Sequence, residues 1–308
     1  MTATNDIHIA ILLTCHNRQE KTTKCLYSLK TALVNHNKQS KEKIIIEIFL
    51  TDDGCTDGTV EAARNIFPNA STLHILHGNG NLYWAGGMRF CWKEAIKRNK
   101  EWNYYLLLND DVELMNSVFS ELLDAEQYEF SKYGIHGLVS GITCDTIDCS
   151  KTTYGGSKWV NKLLFTMTLL NPTGEPQPCD ITNANILLVP TSIVSKIGIF
   201  HDKYQHSIAD YDYSNTARIN QLPVFVTANY CGRCAHDHND YDTEADKIKA
   251  MSLSERKKYF NNPLHSNKDY MHFIRRIAPI RLPIVWTGRT LNVYFPNLYY
   301  TLKRIMKM

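Results

Sequence analysis

The sequence predicts an α/β fold with a mainly parallel central sheet and helices on both of its faces. Two observations support this prediction. Short apolar runs alternate with helical patterns through the first half of the 308-residue chain, and polar clusters directly follow three of those runs. The composition, with 44% hydrophobic and 21% charged residues, is that of a globular protein and excludes disordered, collagenous and coiled-coil chains.

The elements follow in order along the chain. The first half predicts strands at residues 7–13, 44–50, 72–76 and 104–108, with helices through 25–33, after 57 and at 85–100. Beyond about residue 134 the pattern loosens, and we expect strands at 135–144, 163–170 and 185–189 and a helix at 191–197. In parallel sheets ligands bind at the carboxyl ends of the strands, which is where the polar clusters fall.

Two of these clusters are acidic pairs. In TDDGCTDGT (51–59), Asp52 and Asp53 could accept hydrogen bonds from a nucleobase or ribose, or the segment could simply cap the next helix. In LNDDV (108–112), Asp110 and Asp111 could offer oxygen ligands to Mg²⁺ or Mn²⁺ beside a diphosphate. The alternative for this pair is a helix N-terminus, where acids favour the helix dipole.

Taken together, the motifs LLTCHNR, TDDGCTDGT, NLYWAGGM, LNDDV and ADYDYS, in this order, resemble the inverting family-two glycosyltransferases with the GT-A fold. The resemblance covers about residues 9–236. The most similar patterns are those of bacterial enzymes that build surface polysaccharides, some of them rhamnosyltransferase-like. It implies a glycosyltransferase domain at 1–267, with a nucleotide-binding part at about 1–133 and an acceptor-binding part at about 134–240.

The resemblance also implies site residues. For nucleotide-sugar binding these are Thr14, Asn17, Arg18, Asp52, Asp53, Asn81, Gly86, Gly87 and Asp110; for the metal, Asp111 and His236; and for the catalytic base, Asp210. Asn109 stands where the family has the first acid of its metal motif. Trp84, Asn185 and Asp212 are expected to contact the acceptor, although Trp84 could equally be core and Asn185 could serve a turn.

The role of Asp210 also makes chemical sense. An acceptor hydroxyl that attacks an anomeric carbon must lose its proton, and a carboxylate within hydrogen-bond reach can take it. A metal serves the leaving diphosphate, so one base and one metal give a single displacement with inversion. The alternative is that Asp210 is a surface acid in a Tyr-rich loop.

Charge is distributed unevenly. Residues 268–308 hold eight Lys or Arg and one acid, a net charge of +7, so the remaining 267 residues carry −4. This basic, aromatic C-terminal extension is expected to be helical and to lie on the inner face of the cell membrane rather than to bind nucleic acid, or its aromatic residues could pack on the domain. Without a secretory signal, the nine cysteines are expected to be reduced thiols in the cytoplasm.

The sequence therefore predicts an Mn²⁺- or Mg²⁺-dependent hexosyl- or deoxyhexosyltransferase. Its donor would be a UDP- or dTDP-sugar and its acceptor a glycan or a lipid-linked molecule. One alternative is a non-catalytic glycan-binding subunit of a synthase complex, for which a base would have no use. A sugar nucleotidylyltransferase is disfavoured because CHNRQE has no glycine-rich phosphate loop. A zinc site at Cys231, Cys234, His236 and His238 stays open.

Overall fold

The computed structural model describes residues 6–98, 100–162, 164–236, 241–265 and 267–305. The alternation predicted for the first half is confirmed: the strand bounds differ from the prediction by at most two residues and those of the helix predicted at 85–100 by at most three, whereas the helix predicted through 25–33 is six residues longer at each end. These elements are β1 (Ile7–Cys15), α1 (Gln19–Gln39), β2 (Ile44–Asp52), α2 (Thr59–Ile66), β3 (Leu73–His77), α3 (Tyr83–Lys97) and β4 (Tyr104–Leu108).

The second half is built from shorter strands and further helices. They are β5 (Glu113–Leu114), α4 (Val118–Tyr133), β6 (Leu138–Cys144), β7 (Thr152–Tyr154), β8 (Gly156–Asn161), β9 (Thr166–Leu169), β10 (Gln177–Pro178), β11 (Ile181–Thr182), β12 (Ile186–Pro190), α5 (Thr191–Ile197), α6 (Ala209–Ile219) and β13 (Val224–Arg233). The strands predicted at 135–144, 163–170 and 185–189 correspond to β6, β9 and β12. Position 163 itself, like His238 of the possible zinc site, lies outside the described residues.

The chain ends in helices α7 (Tyr241–Ala250), α8 (Leu253–Asn261), α9 (Asn267–Ile277), α10 (Leu282–Tyr294) and α11 (Pro296–Ile305). The prediction of a helical extension is therefore confirmed. Among the residues described, no helix is both long enough and apolar enough to cross a membrane.

The main sheet has the strand order β10-β13-β6-β12-β4-β1-β2-β3. The four strands of the first half are parallel, so the carboxyl ends of β1, β2 and β4 lie at one edge. Strand β12 runs antiparallel to β4, with Ile186 opposite Leu108. Because of this direction, the residues that precede β12 arrive at the same edge, which is how Asn185 joins the acidic strand end.

The sheet separates two apolar layers. Alternate residues of β1 face opposite sides, so Ile9, Ile11 and Leu13 pack towards α1 and α2 while Ala10 and Leu12 pack towards α3. Trp92 of α3 is fully buried, with its ring 5.6 Å from that of Tyr213 on α6. The first turn of α6 is thus fixed against the same layer as α3.

The expectation that every cysteine is a reduced thiol is wrong for one pair. Cys144, at the end of β6, forms a disulfide with Cys149 five residues later. The other seven cysteines are free thiols, and most of them are buried among apolar side chains. The prediction of reduced thiols was based on the compartment inferred from the N-terminus. It did not consider the local turn that brings Cys144 and Cys149 together.

Helix α9 packs on the body of the protein although it lies within the basic extension predicted at 268–308. Phe273 and Ile274 are buried in the same apolar layer as α3 and α6. The buried carboxylate of Asp269 accepts backbone hydrogen bonds of 2.8 and 3.0 Å from His206 and Ser207, just before α6. The domain boundary at 267 stays a prediction, but α9 supports α6 directly.

Candidate active site

The first motif and the LNDDV motif meet at the carboxyl edge of the parallel strands. Arg18, which immediately precedes α1, forms ion pairs of 3.0 Å with Asp110 and 2.5 Å with Asp111. Thr22, one turn further along α1, donates a 3.1 Å hydrogen bond to Asp110, and Lys21 lies 3.9 Å from Asp111. One helix start therefore presents two cations and a hydroxyl to the acidic pair.

The two acids of this pair have different environments. Asp110 is buried, and burial raises the pKa of its carboxyl to about 6 even though the Arg18 guanidinium lowers it. The side chain of Asp111 is 16% exposed, against 5% for Asp110. Its Oδ1 atom has a long contact of 3.8 Å with the Cys234 thiol. Asp111 is thus the more accessible of the two carboxylates, whereas Asp110 is buried next to it.

Asn109 is held in place by several neighbours. Its side-chain oxygen accepts a 2.7 Å hydrogen bond from the indole N–H of Trp84, and its backbone N–H donates to the carbonyl of Asn185 at 3.0 Å. The side chain of Asn185 in turn donates to the sulfur of Cys234 at 3.6 Å. Trp84 and Asn185, expected to bind the acceptor, are therefore engaged with the acidic strand end.

The carboxylates of the TDDG motif hold the neighbouring loops. Asp53 accepts backbone hydrogen bonds from Gly80 and Leu82, both 2.8 Å, and from Tyr83 at 3.0 Å, which fixes the loop that enters α3. Asp52 accepts one from Cys55 at 2.7 Å and lies 3.0 Å from Nδ1 of His77. A carboxylate has about four acceptor positions, and the loop amides fill three of them on Asp53, which is buried.

Burial tends to raise the pKa of Asp52. Hydrogen bonds from the Cys55 amide and from His77 nevertheless hold that pKa below its usual value. Asp52 is therefore an anion near neutral pH, suited to accept hydrogen bonds from ligand hydroxyl or imide groups.

The other residues expected to bind the donor contact the loops at this edge. Gly87 allows α3 to approach β1, because a Cβ there would overlap the hydroxyl of Thr14. Asn17 has a φ of 50°, and its side-chain oxygen accepts a 2.8 Å hydrogen bond from the amide of Thr56. Gln205 accepts from the amide of Gly86 at 3.3 Å and donates to the carbonyl of Asn81 at 3.5 Å.

Asp210 lies in the first turn of helix α6, so the alternative of a surface acid in a loop is wrong. Its carboxylate accepts backbone hydrogen bonds from Ala184 at 3.0 Å and from Tyr211 at 2.9 Å. Burial is the main cause that raises the pKa of Asp210, to about 6, and these hydrogen bonds limit the rise. A carboxylate with this pKa is ionised at neutral pH and close to the value that suits proton transfer.

Asp212 does not accompany Asp210. Two residues along a helix correspond to about 200° of rotation, so the two side chains leave α6 on different sides. Asp212 is buried and accepts a 2.7 Å hydrogen bond from Nε of Arg276 on α9. The expectation that Asp212 contacts the acceptor does not fit this arrangement, since the ion pair occupies its carboxylate.

His236 is exposed, and its ring stacks on Tyr154 at 5.9 Å between centroids. Among the residues described, no group of three or more His, Cys, Asp or Glu side chains is arranged to hold a metal. A single carboxylate completed by diphosphate oxygens and water is a usual site for Mg²⁺. The partly exposed carboxylate of Asp111 fits that arrangement, because its 2.5 Å contact with Arg18 is made by Oδ2 rather than Oδ1.

Three further residues at this edge, Lys21, Thr22 and Gln205, are not among those that the motifs predicted. Lys21 and Thr22 follow Arg18 by three and four residues, the spacing of one helical face, so the helical pattern could have indicated them. Gln205 acts through contacts 119 and 124 residues away in sequence, with Gly86 and Asn81, and no local pattern indicates them.

Comparisons with known proteins agree with this geometry. Residues 10–131 match the family model described as glycosyl transferase family 2. No curated protein matches the chain at a significant level. Among solved structures, the chain is similar to the mannosyltransferase PcManGT from Pyrobaculum calidifontis, in complex with GDP-Man and Mn²⁺. The TM-score is 0.52 at 12% identity, covering 98% of this chain and 76% of that one.

At this identity the structural likeness speaks for the fold alone, and the fold is GT-A. The family match covers β1 to α4, the part of the chain that carries the first four motifs, including the LNDDV strand end. The chain therefore has a GT-A fold in which residues 10–131 are similar to glycosyl transferase family 2.

Proposed function

We propose that the protein is a metal-dependent inverting glycosyltransferase that moves a hexosyl or deoxyhexosyl group from a nucleotide-diphosphate sugar to an acceptor hydroxyl. One observation carries the proposal. A buried carboxylate suited to proton transfer, that of Asp210, contacts Ala184, and the next residue, Asn185, is hydrogen-bonded to the acidic strand end at Asn109. A base and a diphosphate-binding edge thus adjoin one short segment.

The donor is proposed to bind across the loops held by Asp52 and Asp53. The fourth acceptor position of Asp53 would take the imide N–H of a pyrimidine, which favours UDP- or dTDP-sugars. Arg18 and Lys21 would contact the diphosphate oxygens, and Asp111 would hold Mn²⁺ or Mg²⁺ through Oδ1. When bound, the cation would supply positive charge that stabilises the leaving diphosphate. His236 is a proposed second ligand that would have to leave its stacking contact with Tyr154.

The proposed reaction is a single displacement. The acceptor oxygen forms a bond to the anomeric carbon as its proton passes to a carboxylate oxygen of Asp210. The bond between that carbon and the diphosphate oxygen breaks, and the nucleoside diphosphate leaves with the bonding electron pair. Attack opposite the leaving group inverts the anomeric configuration. Backbone hydrogen bonds from Ala184 and Tyr211 would keep Asp210 oriented for this step.

The acceptor is proposed to be a glycan or a lipid-linked molecule in bacterial surface polysaccharide synthesis. The net charge of +7 on residues 268–308 supports binding of the extension to an anionic membrane. Ile280 and Trp286, 78% and 61% exposed, are suited to a membrane interface. The protein would then act in the cytoplasm, on the inner face of the cell membrane.

The proposal is tested by measuring nucleotide release from UDP-, dTDP- and GDP-sugars, with and without Mn²⁺. We expect one donor class to be turned over only with the metal, and Asp210→Asn to abolish sugar transfer while it still binds that donor. If the wild-type protein binds donors but turns none of them over with any acceptor extract tested, the result favours the glycan-binding alternative.

A further inference from the structure

The five C-terminal helices line an open cavity of about 880 Å³. This volume lies within the range of sites that bind small molecules and cofactors. Helices α7 to α11 and the 3-10 turns between them all contribute to its wall. Most of that wall is apolar, with Ile248, Phe260, Leu264, Leu291 and Tyr299 among the lining residues.

Three polar atoms in the wall have no hydrogen-bond partner within the described part of the chain. They are Oδ1 of Asn267, Nη1 of Arg281 and Oδ1 of Asn292, and all three are buried. A buried polar atom without a partner costs about 1–3 kcal/mol. Nη1 of Arg281 is a donor that an anionic ligand would satisfy, whereas the two Asn oxygens are acceptors and need a donor such as a hydroxyl group or water.

Cations also line this cavity. Arg289 packs 4.3 Å from the ring centroid of Tyr270, and Arg281 packs 4.6 Å from that of Phe165. Neither arginine forms an ion pair with any residue that the structure describes, and burial lowers the pKa of Arg289. Lys303 lines the cavity too, and Glu244 is the one acid among the lining residues. The wall therefore has a positive balance that favours an anionic ligand.

The cavity reaches an apolar part of the protein surface. Ile284 and Leu302 line it and are also solvent-exposed, so they mark its mouth. Trp286, two residues from Ile284 on α10, is exposed as well. An opening with this composition admits a hydrocarbon chain from a membrane more readily than a water-soluble metabolite.

One helix connects the cavity to the proposed catalytic base. Tyr270 of α9 lines the cavity, whereas its neighbour Asp269 accepts hydrogen bonds from the amides of Gln205, His206 and Ser207. Those residues lead into α6, whose first turn holds Asp210. The cavity and the catalytic edge are therefore built on neighbouring elements of one packed unit.

We propose that this cavity binds the hydrocarbon chain and phosphate group of a long-chain lipid phosphate, the anchor of a lipid-linked acceptor. The apolar wall would hold the chain, and Arg281 and Arg289 would pair with the phosphate oxygens. This proposal rests on the proposed function for the use of the bound lipid, but not for its binding.

Substitution of Gly288 by a larger residue tests whether the cavity is the binding site, because the new side chain would reduce its volume. Gly288 lines the wall, and a Cβ at this position would meet only the Tyr299 ring, at 3.7 Å. Gly288→Leu should therefore fill part of the cavity without displacing backbone, and Gly288→Ala is the matched control. Arg289→Gln tests the phosphate contact separately, because it removes the charge and keeps a polar side chain.

The experiment measures binding of farnesyl diphosphate to the full chain by calorimetry, with farnesol and inorganic diphosphate as the comparison ligands. We expect Gly288→Leu to weaken farnesyl diphosphate binding by about tenfold or more, the factor that 1.4 kcal/mol represents, and Gly288→Ala to leave it unchanged. Arg289→Gln should weaken farnesyl diphosphate but not farnesol. Because each ligand is measured on the same variant, a general loss of folding would affect both ligands.

Equal affinity of the wild type and Gly288→Leu for farnesyl diphosphate would overturn the proposal. Affinity for inorganic diphosphate that is as high as that for farnesyl diphosphate, and that Arg289→Gln lowers equally, would also overturn it, because the hydrocarbon chain would then contribute nothing at the cavity. Nucleotide release from donors is measured in parallel on the same proteins. If no nucleotide is released, the proposed function is contradicted, whereas the proposal for the cavity is still decided by the binding measurements alone.

Discussion

The amide of Ala184 donates a 3.0 Å hydrogen bond to the carboxylate of Asp210, and this contact ties the proposed base to the rest of the site. The next residue, Asn185, accepts the backbone N–H of Asn109 through its carbonyl oxygen. Two consecutive residues that enter β12 thus hold both the base and the acidic strand end. Movement of this segment would change both groups together.

Asp210→Asn should lower sugar transfer by at least about 10²-fold, the usual scale for a positioned general base. The amide keeps the shape of the side chain but cannot take the acceptor proton. Donor affinity should be unchanged, because Asp210 lies outside the proposed donor loops. Steady-state transfer and donor titration check the two parts, and turnover near the wild-type level would place the base elsewhere.

Transfer should depend on pH through the same residue. The base must be ionised, and its pKa is raised to about 6, so kcat/KM should rise with pH below about 6 and level off above it. Asp110 has a similar raised pKa, so Asp110→Asn is the control that removes its contribution. A profile that stays flat from pH 5 to 8 in the wild type would contradict this assignment.

The free energy of unfolding should depend on pH in the opposite direction to kcat/KM. The folded-state pKa values of Asp110 and Asp210 lie above the ordinary Asp value, so the folded protein binds more protons between about pH 4 and 6. The contribution of these groups to the free energy of unfolding should be largest below that window and be lost as pH rises through it. Urea unfolding of the wild type and of Asp210→Asn across this range measures the difference.

Asp111→Asn should remove most of the dependence of donor binding on Mn²⁺. The variant loses the accessible carboxylate, whereas Arg18 retains Asp110 as its partner. Calorimetric titration of UDP or dTDP, each with and without Mn²⁺, provides the measurement. Glu113→Gln, which changes an exposed acid nearby on β5, is the matched control. Metal-dependent binding that survives in Asp111→Asn would exclude this residue as the ligand.

Arg276→Met should destabilise the protein by about 3 kcal/mol, because it leaves the buried carboxylate of Asp212 without its partner. Partial exposure of the Arg276 side chain places the expected cost at the lower end for buried pairs. Arg275→Met, at the exposed neighbouring position, is the control and should cost little. Similar urea midpoints for the two variants would show that the ion pair contributes nothing measurable.

Trp286→Ser together with Ile280→Ser should reduce recovery of the full chain with anionic vesicles in flotation at low salt. Trp286 is exposed on α10 and Ile280 in the turn before it, within the basic extension. Ile147→Ser removes an exposed apolar side chain outside the extension and serves as the control. Equal recovery of all proteins, or no binding by any of them, would count against membrane docking.

The first half of the fold could be predicted because its strands are apolar runs with polar residues at their ends, a pattern set by local sequence. Helix α6 could not, since Ile208 at φ 65° precedes it in place of a capping side chain and ADYDYS gives a weak apolar pattern. The motif positions at Arg18, Asp110 and Asp111 were predicted, and they meet because parallel strands end together.

The role of other residues depends on contacts distant in sequence. Nothing local indicates that the indole of Trp84 donates to Asn109 or that Arg276 pairs with Asp212 across 64 residues. From the sequence, Trp84 and Asp212 were expected to contact the acceptor. In the structure the indole of Trp84 and the carboxylate of Asp212 are engaged by other side chains of the same protein.

The position of α9 decides where the protein can be divided or recombined. A chimera that exchanges everything after residue 267 would discard Asp269, and with it the acceptor for the amides of 205–207, and would remove Phe273 and Ile274 from the apolar layer beneath α6. The first breakpoint that preserves the catalytic helix is the turn at 278–281, between α9 and α10. A chimera that exchanges the C-terminal helices therefore has to begin at α10 and keep α9 with the α6 helix on which it packs.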